Sequence, residues 1–189
     1  MLFRSEGITH VVDATHPFAA QMSRHAVAAC AGGPALVALE RAPWVAGSGD
    51  DWTRVPDMAG ALAALPAVPH RIFLAIGRQE LGMFAAHAHH YLLRLVDPPA
   101  VPPLPDCTVL IARGPFDLAG DKALLRTHRI DLIVTKNSGG TGARAKLDAA
   151  RALGLPVIVI HRPEVPERQC VADPAAVLRW LGHPADLGV

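Results

Sequence analysis

Residues 130–162 read IDLIVTKNSGGTGARAKLDAARALGLPVIVIHR, and this stretch decides the fold. The apolar run 130–134 predicts a strand, and a glycine-rich loop separates it from a helical pattern that ends before Gly154-Leu155-Pro156. Residues 157–160 predict the returning strand. Two strands joined through a helix run parallel, with a right-handed crossover. The stretch therefore predicts a βαβ unit and an α/β fold.

The loop of this unit follows the carboxyl end of a parallel strand, where ligands of open α/β sheets bind. Glycines let backbone N–H groups approach a phosphate, and the following helix N-terminus adds positive partial charge. The cation, amide, hydroxyl and glycines that would form this anion site are Lys136, Asn137, Ser138, Gly139 and Gly140. The loop matches neither the P-loop nor the Rossmann fingerprint. The alternative is a helix capped by Ser138 or Thr141, with glycines that only turn the chain.

The composition narrows the class of protein. Hydrophobic residues make up 51% of the 189, which is ample for a buried core, and the 5% aromatic content suits parallel sheets covered by alanine-rich helices. A net charge of +1 provides no basic surface for nucleic acid, and no apolar run is long enough to span a membrane. Cys30, Cys107 and Cys170 form no disulfide or metal pattern. We expect a soluble cytoplasmic protein with a small-molecule partner.

Further loops are predicted at the carboxyl ends of strands. These strands are expected over residues 8–14, 71–76 and 109–112. Their loops carry His16, Arg78 and Arg113, and in a parallel sheet such ends lie along one edge, so the cations would face an anionic ligand. The alternative for each arginine is a surface salt bridge or a carbonyl cap. His16 suits a general acid or a ligand contact; alternatively, Thr15 caps the next helix and Pro17 occupies its first position.

The histidine-rich segment His87-Ala88-His89-His90 is a weaker candidate for a metal site. It lacks the helical pair spaced four residues apart and a third ligand. The sequence also has no GxSxG motif of a hydrolase. We therefore predict no metal site and no hydrolase.

The two ends of the chain are related to each other. Residues 122 positions apart are identical at Ile8 and Ile130, at Gly32 and Gly154, and at six further pairs in the same frame. Such an ordered set predicts a duplicated half. The proline-containing linker 66–69 then divides the chain into residues 1–66, the remnant of an N-terminal α/β domain, and residues 70–189, a C-terminal α/β domain.

Four motifs together resemble one known family. VVDATHPFA at 11–19, FLAIGRQE at 73–80, ARGPF at 112–116 and VTKNSGG at 134–140 are similar to the precorrin-6A reductases of cobalamin (corrin ring) biosynthesis. The resemblance implies two Rossmann-like parallel-sheet domains and hydride transfer from NADPH or NADH to one double bond of the tetrapyrrole, giving precorrin-6B. We assign cofactor binding to the loop 136–140 with Thr15 and His16, and substrate binding to Arg78, Gln79 and Arg113.

This sequence departs from the family pattern at its start. Such proteins open with a strand and a GGT loop that contributes to the nucleotide site, and the duplication arithmetic likewise expects a counterpart of residues 70–122 before Met1. We therefore expect the first domain to be truncated at its N-terminus. The alternative to an active reductase is a truncated, catalytically inactive nucleotide-binding α/β fragment.

Overall fold

The computed structural model describes residues 5–182, which form an α/β fold, as predicted. The strands in this part of the chain are β1 (His10–Asp13), β2 (Ala35–Leu39), β3 (Trp52–Val55), β4 (Arg71–Ala75), β5 (His90–Leu95), β6 (Cys107–Ile111), β7 (Leu132–Lys136), β8 (Val157–Ile160) and β9 (Cys170–Val171). The helices are α1 (Ala20–Cys30), α2 (Met58–Ala63), the 3₁₀ helix Arg78–Phe84, α3 (Leu118–Thr127), α4 (Ala145–Leu153) and α5 (Pro174–Trp180).

The larger unit is built on a six-stranded parallel sheet with the order β3-β8-β7-β4-β5-β6. Its central strands are covered on both faces, so they are apolar along their whole length rather than alternating. Ile72, Phe73, Ile133 and Val134 are each completely buried. This burial explains why runs such as 130–134 and 157–160 could be recognised as strands.

The order in which the strands follow one another creates a switch point between β4 and β7. From β4 the chain proceeds to β5 and β6 on one side, whereas β7 leads to β8 on the other. Helices α3 and α4, which precede and follow β7, pack against each other. Right-handed crossovers in opposite directions place connections on opposite faces of a sheet, which opens a crevice at the carboxyl ends of β4 and β7.

The smaller unit contains a three-stranded parallel sheet with the order β1-β2-β9, and the helices α1 and α5. Val37 and Ala38 of β2, the central strand, are almost completely buried, whereas Ile8 and Val12 at the β1 edge are exposed by 42% and 37%. Strand β2 follows helix α1 as the returning strand of a βαβ unit, which agrees with the predicted duplication. The first and last parts of the chain therefore share one sheet.

The two units have different boundaries from the division at residues 66–69. One comprises the described parts of Met1–Pro43 and Pro163–Val189, and the other is Trp44–Arg162. Strand β3 lies before the linker but pairs with β8, and β9 lies near the end of the chain but pairs with β2. Each sheet thus takes a strand from the other half of the sequence.

Local structure repeats where the sequence predicts a duplication. Gly32 and Gly154, which follow helices α1 and α4, have φ angles of 66° and 63°, in the left-handed region that favours glycine. Asp57 and Asp173 cap helices α2 and α5, and each side chain accepts a hydrogen bond from the backbone N–H three residues later, at 2.8 and 2.7 Å. The helix ends therefore agree with two related halves.

Several element boundaries differ from the sequence-based prediction. Arg78 was expected in a loop, but Arg78 and Gln79 lie in the first turn of the 3₁₀ helix Arg78–Phe84. Helix α1 begins at Ala20, so Pro17 does not occupy its first position, and no side chain caps it. The segment expected before Met1 lies outside this sequence, so the truncation of the first domain stays a prediction.

Candidate functional site

The switch point brings together the loops after β4 and β7. These strands are paired, with Ala75 opposite Thr135 near their carboxyl ends. Lys136 is the last residue of β7, and its ammonium group donates a hydrogen bond to the carboxylate of Glu80 in the 3₁₀ helix after β4. The ammonium-bearing side chain is 14% exposed and that of Glu80 is 32% exposed. Lys136 therefore joins the two loops across the crevice, and Glu80 offsets its charge.

Arg78, Gln79 and Arg113 are all exposed, and within residues 5–182 none of their side chains makes a hydrogen bond or ion pair. The alternative of a salt bridge or carbonyl cap for the two arginines is thus not observed in this part of the chain. Arg78 follows β4, whereas Arg113 follows β6, with β5 between these strands. Both guanidinium groups belong to the carboxyl-terminal edge of the six-stranded sheet, where they are available to an anion.

The glycine loop carries a run of backbone donors without acceptors. Gly139 and Gly140 have φ angles of 69° and 71°, a conformation that residues with a side chain rarely adopt. From Gly139 to Ala143, no backbone N–H donates to an acceptor in the described chain. Helix α4 begins only at Ala145, and no side chain caps it. The loop is therefore more than a capped helix start, because it offers consecutive donors of the kind that bind phosphate.

The Asn137 side chain is bonded within the protein, and the backbone carbonyls of Asn137 and Ser138 are both held by Arg162. The Asn137 side chain accepts a hydrogen bond from the Trp44 backbone N–H at 2.7 Å and donates one to the Trp44 carbonyl at 2.9 Å. The carbonyls of Asn137 and Ser138 accept from the Arg162 guanidinium at 2.9 and 3.2 Å. The Asn137 amide therefore holds Trp44 in place.

A buried lysine lies behind the loop. Lys146, in the first turn of α4, is 4% exposed and donates a hydrogen bond to the carbonyl of Ala143 at 2.6 Å. Its ammonium nitrogen lies 4.7 Å from the centre of the Trp44 ring. The pKa of Lys146 is lowered to about 8, mainly by burial and also by the charge of Arg94, while the charge of Asp121 acts in the opposite direction.

In the smaller unit, the loop after β1 is organised by a buried carboxylate. Asp13 accepts hydrogen bonds from the Thr15 backbone N–H at 3.1 Å and from the Thr15 hydroxyl at 2.6 Å. Thr15 therefore bonds back to the strand and does not cap α1. Although burial alone would raise it, hydrogen bonds from Ser23 and Thr15 hold the pKa of Asp13 below its ordinary value.

His16, in the same loop, is exposed, and its ring packs against Phe18 with the centroids 5.9 Å apart. Its Nδ1 atom lies 3.2 Å from the Phe18 backbone N–H and accepts that hydrogen bond. In the neutral imidazole the proton is then on Nε2, which can donate to a ligand. The ligand contact assigned to His16 stays a prediction.

The histidine segment lies at the opposite, amino-terminal edge of the six-stranded sheet. His87 and His89 stack with parallel rings, and His89 accepts the His70 backbone N–H through Nδ1 at 3.1 Å. They line a shallow pocket with Tyr91 and Asp106. Among residues 5–182, no group of three histidine, cysteine or carboxylate side chains is arranged to hold a metal ion. No helix in that range is long and apolar enough to cross a membrane.

Four side chains that position the site could not be assigned a role from sequence: Trp44, Glu80, Lys146 and Arg162. Glu80 ends the motif at 73–80 and Arg162 ends the stretch at 130–162, but only the fold shows their partners. Trp44 offers a weak signal, since the chain has only three tryptophans.

Comparison with known proteins gives consistent matches along the chain. The family described as precorrin-6x reductase CbiJ/CobK matches residues 1–182. Precorrin-6A reductase of Rhodobacter capsulatus is 63% identical over 179 residues, which are 93% of this chain and 71% of the relative. The enzyme of the same name from Rhodococcus erythropolis is 49% identical over 182 residues, which cover 95% and 73% of the two chains.

A solved structure gives the same result for the fold. The structure titled CobK precorrin-6A reductase superposes on this chain with a TM-score of 0.92 and 61% sequence identity. The match covers 96% of this chain and 75% of the solved one. At this level of identity and similarity, the two chains share the same α/β fold.

Proposed function

The chain belongs to the precorrin-6x reductase CbiJ/CobK family, and we propose how its residues serve the reaction of that family. It is an oxidoreductase that reduces precorrin-6A, a tetrapyrrole intermediate of cobalamin biosynthesis, and it needs a reduced nucleotide. One double bond of the macrocycle gains a hydride and a proton, giving precorrin-6B. The nicotinamide of NADPH or NADH supplies the hydride when bound and is oxidised.

The nucleotide phosphates are held by the glycine loop in this proposal. The observation that carries it is the run of N–H groups from Gly139 to Ala143, which have no acceptor in the described chain. A phosphate would satisfy several of them together, at the crevice where open parallel sheets bind their ligands. Lys136 adds positive charge at the same end of β7, in part offset by Glu80. The residues present therefore fit a dinucleotide.

The macrocycle carries carboxylate side chains, and these require cations. Arg78 and Arg113 are exposed and unpaired in the described chain, and Gln79 adds an amide beside Arg78. Guanidinium groups bind carboxylates through paired hydrogen bonds. We assign these three residues to binding and orienting the substrate.

For the smaller unit taken by itself, Thr15 and His16 are the proposed nucleotide contacts. Asp13 fixes the backbone and hydroxyl of Thr15, and the Phe18 N–H fixes Nδ1 of His16. The loop is thereby held in one conformation before any ligand binds. Preorganised donors of this kind lower the cost of binding.

Anaerobic steady-state kinetics with precorrin-6A, NADPH and NADH test the substrate assignment. Arg78→Ala and Arg113→Ala should each raise the KM for precorrin-6A by about 10- to 150-fold, since losing a hydrogen bond to a charged group costs about 1.5–3 kcal/mol. The KM for the nucleotide should stay within about twofold. Arg54→Ala is the matched control, because Arg54 is an exposed arginine without a side-chain partner in the described chain, and it lies in the edge strand β3, three strands away from β4.

Two results would contradict the substrate assignment. If both arginine variants keep the wild-type KM for precorrin-6A, the carboxylates of the macrocycle bind elsewhere. If Arg54→Ala raises that KM as much as the other two, the effect reflects the overall charge of the protein and not a site.

A further inference from the structure

Three carbonyl groups of the glycine loop are held by two side chains. The carbonyls of Asn137 and Ser138 accept hydrogen bonds from the Arg162 guanidinium, and the Gly140 carbonyl accepts one from the Trp44 indole N–H at 2.6 Å. A peptide plane is rigid and can turn only through the φ and ψ torsions on either side of it. A hydrogen bond to its carbonyl therefore fixes the orientation of the whole plane.

The direction of the carbonyls determines the direction of the unpaired donors. The peptide bonds of the loop are trans, so the C=O of one residue and the N–H of the next point in opposite directions. With the Ser138 carbonyl on Arg162, the Gly139 N–H points away from Arg162. With the Gly140 carbonyl on Trp44, the Thr141 N–H points away from Trp44. Both donors belong to the run that has no acceptor in the described chain.

Trp44 is itself held from three directions. Its backbone N–H and C=O are paired with the Asn137 side chain, and the Lys146 ammonium lies against its ring. The residue is only 6% exposed, so it is almost completely enclosed by protein. Because Trp44 is held in place, its indole N–H can hold the Gly140 carbonyl in one orientation.

We propose that Trp44 is a positioning residue, whose indole N–H turns the Gly140 peptide so that the backbone donors of the glycine loop face the nucleotide phosphates. The proposal rests on the proposed function, in that it takes this loop as the phosphate site. Trp44 acts through the loop and touches neither reacting group. Its loss should therefore weaken nucleotide binding and leave the chemical step intact.

Trp44→Phe tests the proposal with the least change of shape. Phenylalanine keeps an aromatic ring against Lys146 and keeps the backbone bonds to Asn137, but it cannot donate to Gly140. Calorimetric titration with NADP⁺ and with NAD⁺ should show a Kd raised about tenfold for whichever the wild type binds more tightly. In kinetics, the KM for the reduced nucleotide should rise by a similar factor, with kcat at saturation within about twofold of wild type.

Trp52→Phe is the matched control. Trp52 lies in the same unit, and its buried indole N–H has no acceptor in the described chain. Removing this donor breaks no hydrogen bond, so the Kd should not change. A merely structural role of Trp44 would lower the melting temperature and leave the Kd at 25 °C as it is, and equal Kd effects in the two variants would also overturn the proposal.

Two further measurements keep the outcome decisive. In a W52F/W180F chain Trp44 is the single tryptophan, and saturating NADP⁺ or NAD⁺ should change its fluorescence emission after correction for absorbance. An unchanged emission spectrum counts against the proposal, and this measurement does not depend on whether Trp44→Phe folds. Gly140→Ala strains a backbone with φ of 71° and tests the loop directly. If Gly140→Ala leaves the Kd unchanged, the phosphate site assigned above fails; if it raises the Kd and Trp44→Phe does not, only the role of Trp44 fails.

Discussion

Replacing Lys146 by methionine should stabilise the protein near neutral pH and remove a distinctive pH dependence. The Lys146 side chain is buried, and the carbonyl of Ala143 is its one hydrogen-bond acceptor in the described chain. Arg94 repels its charge, and Asp121, which forms an ion pair with Arg94, attracts it. Burial of the charge dominates, so the pKa of Lys146 falls from 10.5 to about 8.

The magnitude follows from this pKa. At pH 7 a fall from 10.5 to about 8 corresponds to about 3 kcal/mol of destabilisation relative to a neutral side chain in the same place. Methionine keeps the apolar stem but leaves the Ala143 carbonyl unpaired, which costs about 1 kcal/mol. Lys146→Met should therefore raise the free energy of unfolding by about 2 kcal/mol at pH 7.

The sign of the pH effect is fixed by which state binds more protons. Between about pH 8 and 10.5 the unfolded chain keeps the lysine proton while the folded protein releases it, so the wild type gains stability as the pH rises through this range. The destabilisation is fully present below pH 8 and absent above 10.5. From pH 7 to 9.5 the recovery amounts to about 2 kcal/mol, and Lys146→Met has none of it.

Urea unfolding followed by circular dichroism at pH 7.0, 8.0, 9.0 and 9.5 measures this difference. The stability gap between Lys146→Met and wild type should shrink by about 2 kcal/mol over the range. Lys122→Met, at a half-buried lysine of α3 without a partner in the described chain, controls for one positive charge fewer. A gap that stays constant with pH, or a variant less stable than wild type at pH 7, would refute the reasoning.

Two further predictions concern two other buried titratable groups, His89 and Asp13. Burial, together with the charges of His70 and His87, lowers the pKa of His89 from its ordinary value of 6.5, so the unfolded state binds more protons and the wild type should lose stability as the pH falls below 6.5. In His89→Asn the amide oxygen can replace Nδ1 as acceptor, so this variant should lose less stability than the wild type between pH 7.5 and 5. Melting temperatures that fall in parallel for the two proteins would contradict this. Asp13→Asn should destabilise the protein by about 1–3 kcal/mol at pH 7, because the carboxylate faces the Arg168 guanidinium at 4.0 Å and binds Thr15. Since the pKa of Asp13 lies below 3.8, that contribution is present at higher pH and is lost as the pH falls through the lowered value, so the melting temperatures of variant and wild type should approach each other below pH 4.

The parts of the fold that could be predicted from sequence are those with buried, uninterrupted apolar strands. Strand β8 spans Val157–Ile160 as expected, and β4 ends one residue before its predicted end. Strands β3 and β9 were not predicted, because β3 is largely exposed and β9 has only two residues. Short strands at a sheet edge have little burial to leave a pattern in the sequence.

The candidate site was predictable as a place and not as a set of contacts. The carboxyl ends of parallel strands and the glycines identify the loop at 136–140, because both follow from local sequence. The partners of that loop come from distant positions: Glu80 for Lys136, and Trp44 for Asn137 and Gly140. No spacing rule connects such residues, and only the strand order places them side by side.

The exchange of strands between the two halves explains why a linker in the sequence is not a boundary in the structure. The residues at 66–69 separate two related halves, but β3 pairs with β8 and β9 pairs with β2. Cutting there would leave β2 and β8 each with one open backbone edge, and the buried side chains of Val157–Ile160 would lose one neighbouring strand. The symmetric exchange instead covers one edge of each sheet with the other half of the sequence. The candidate site depends on this strand exchange. Trp44 precedes β3 and Arg162 follows β8, so the pairing of β3 with β8 brings both side chains that hold the glycine loop into the same unit.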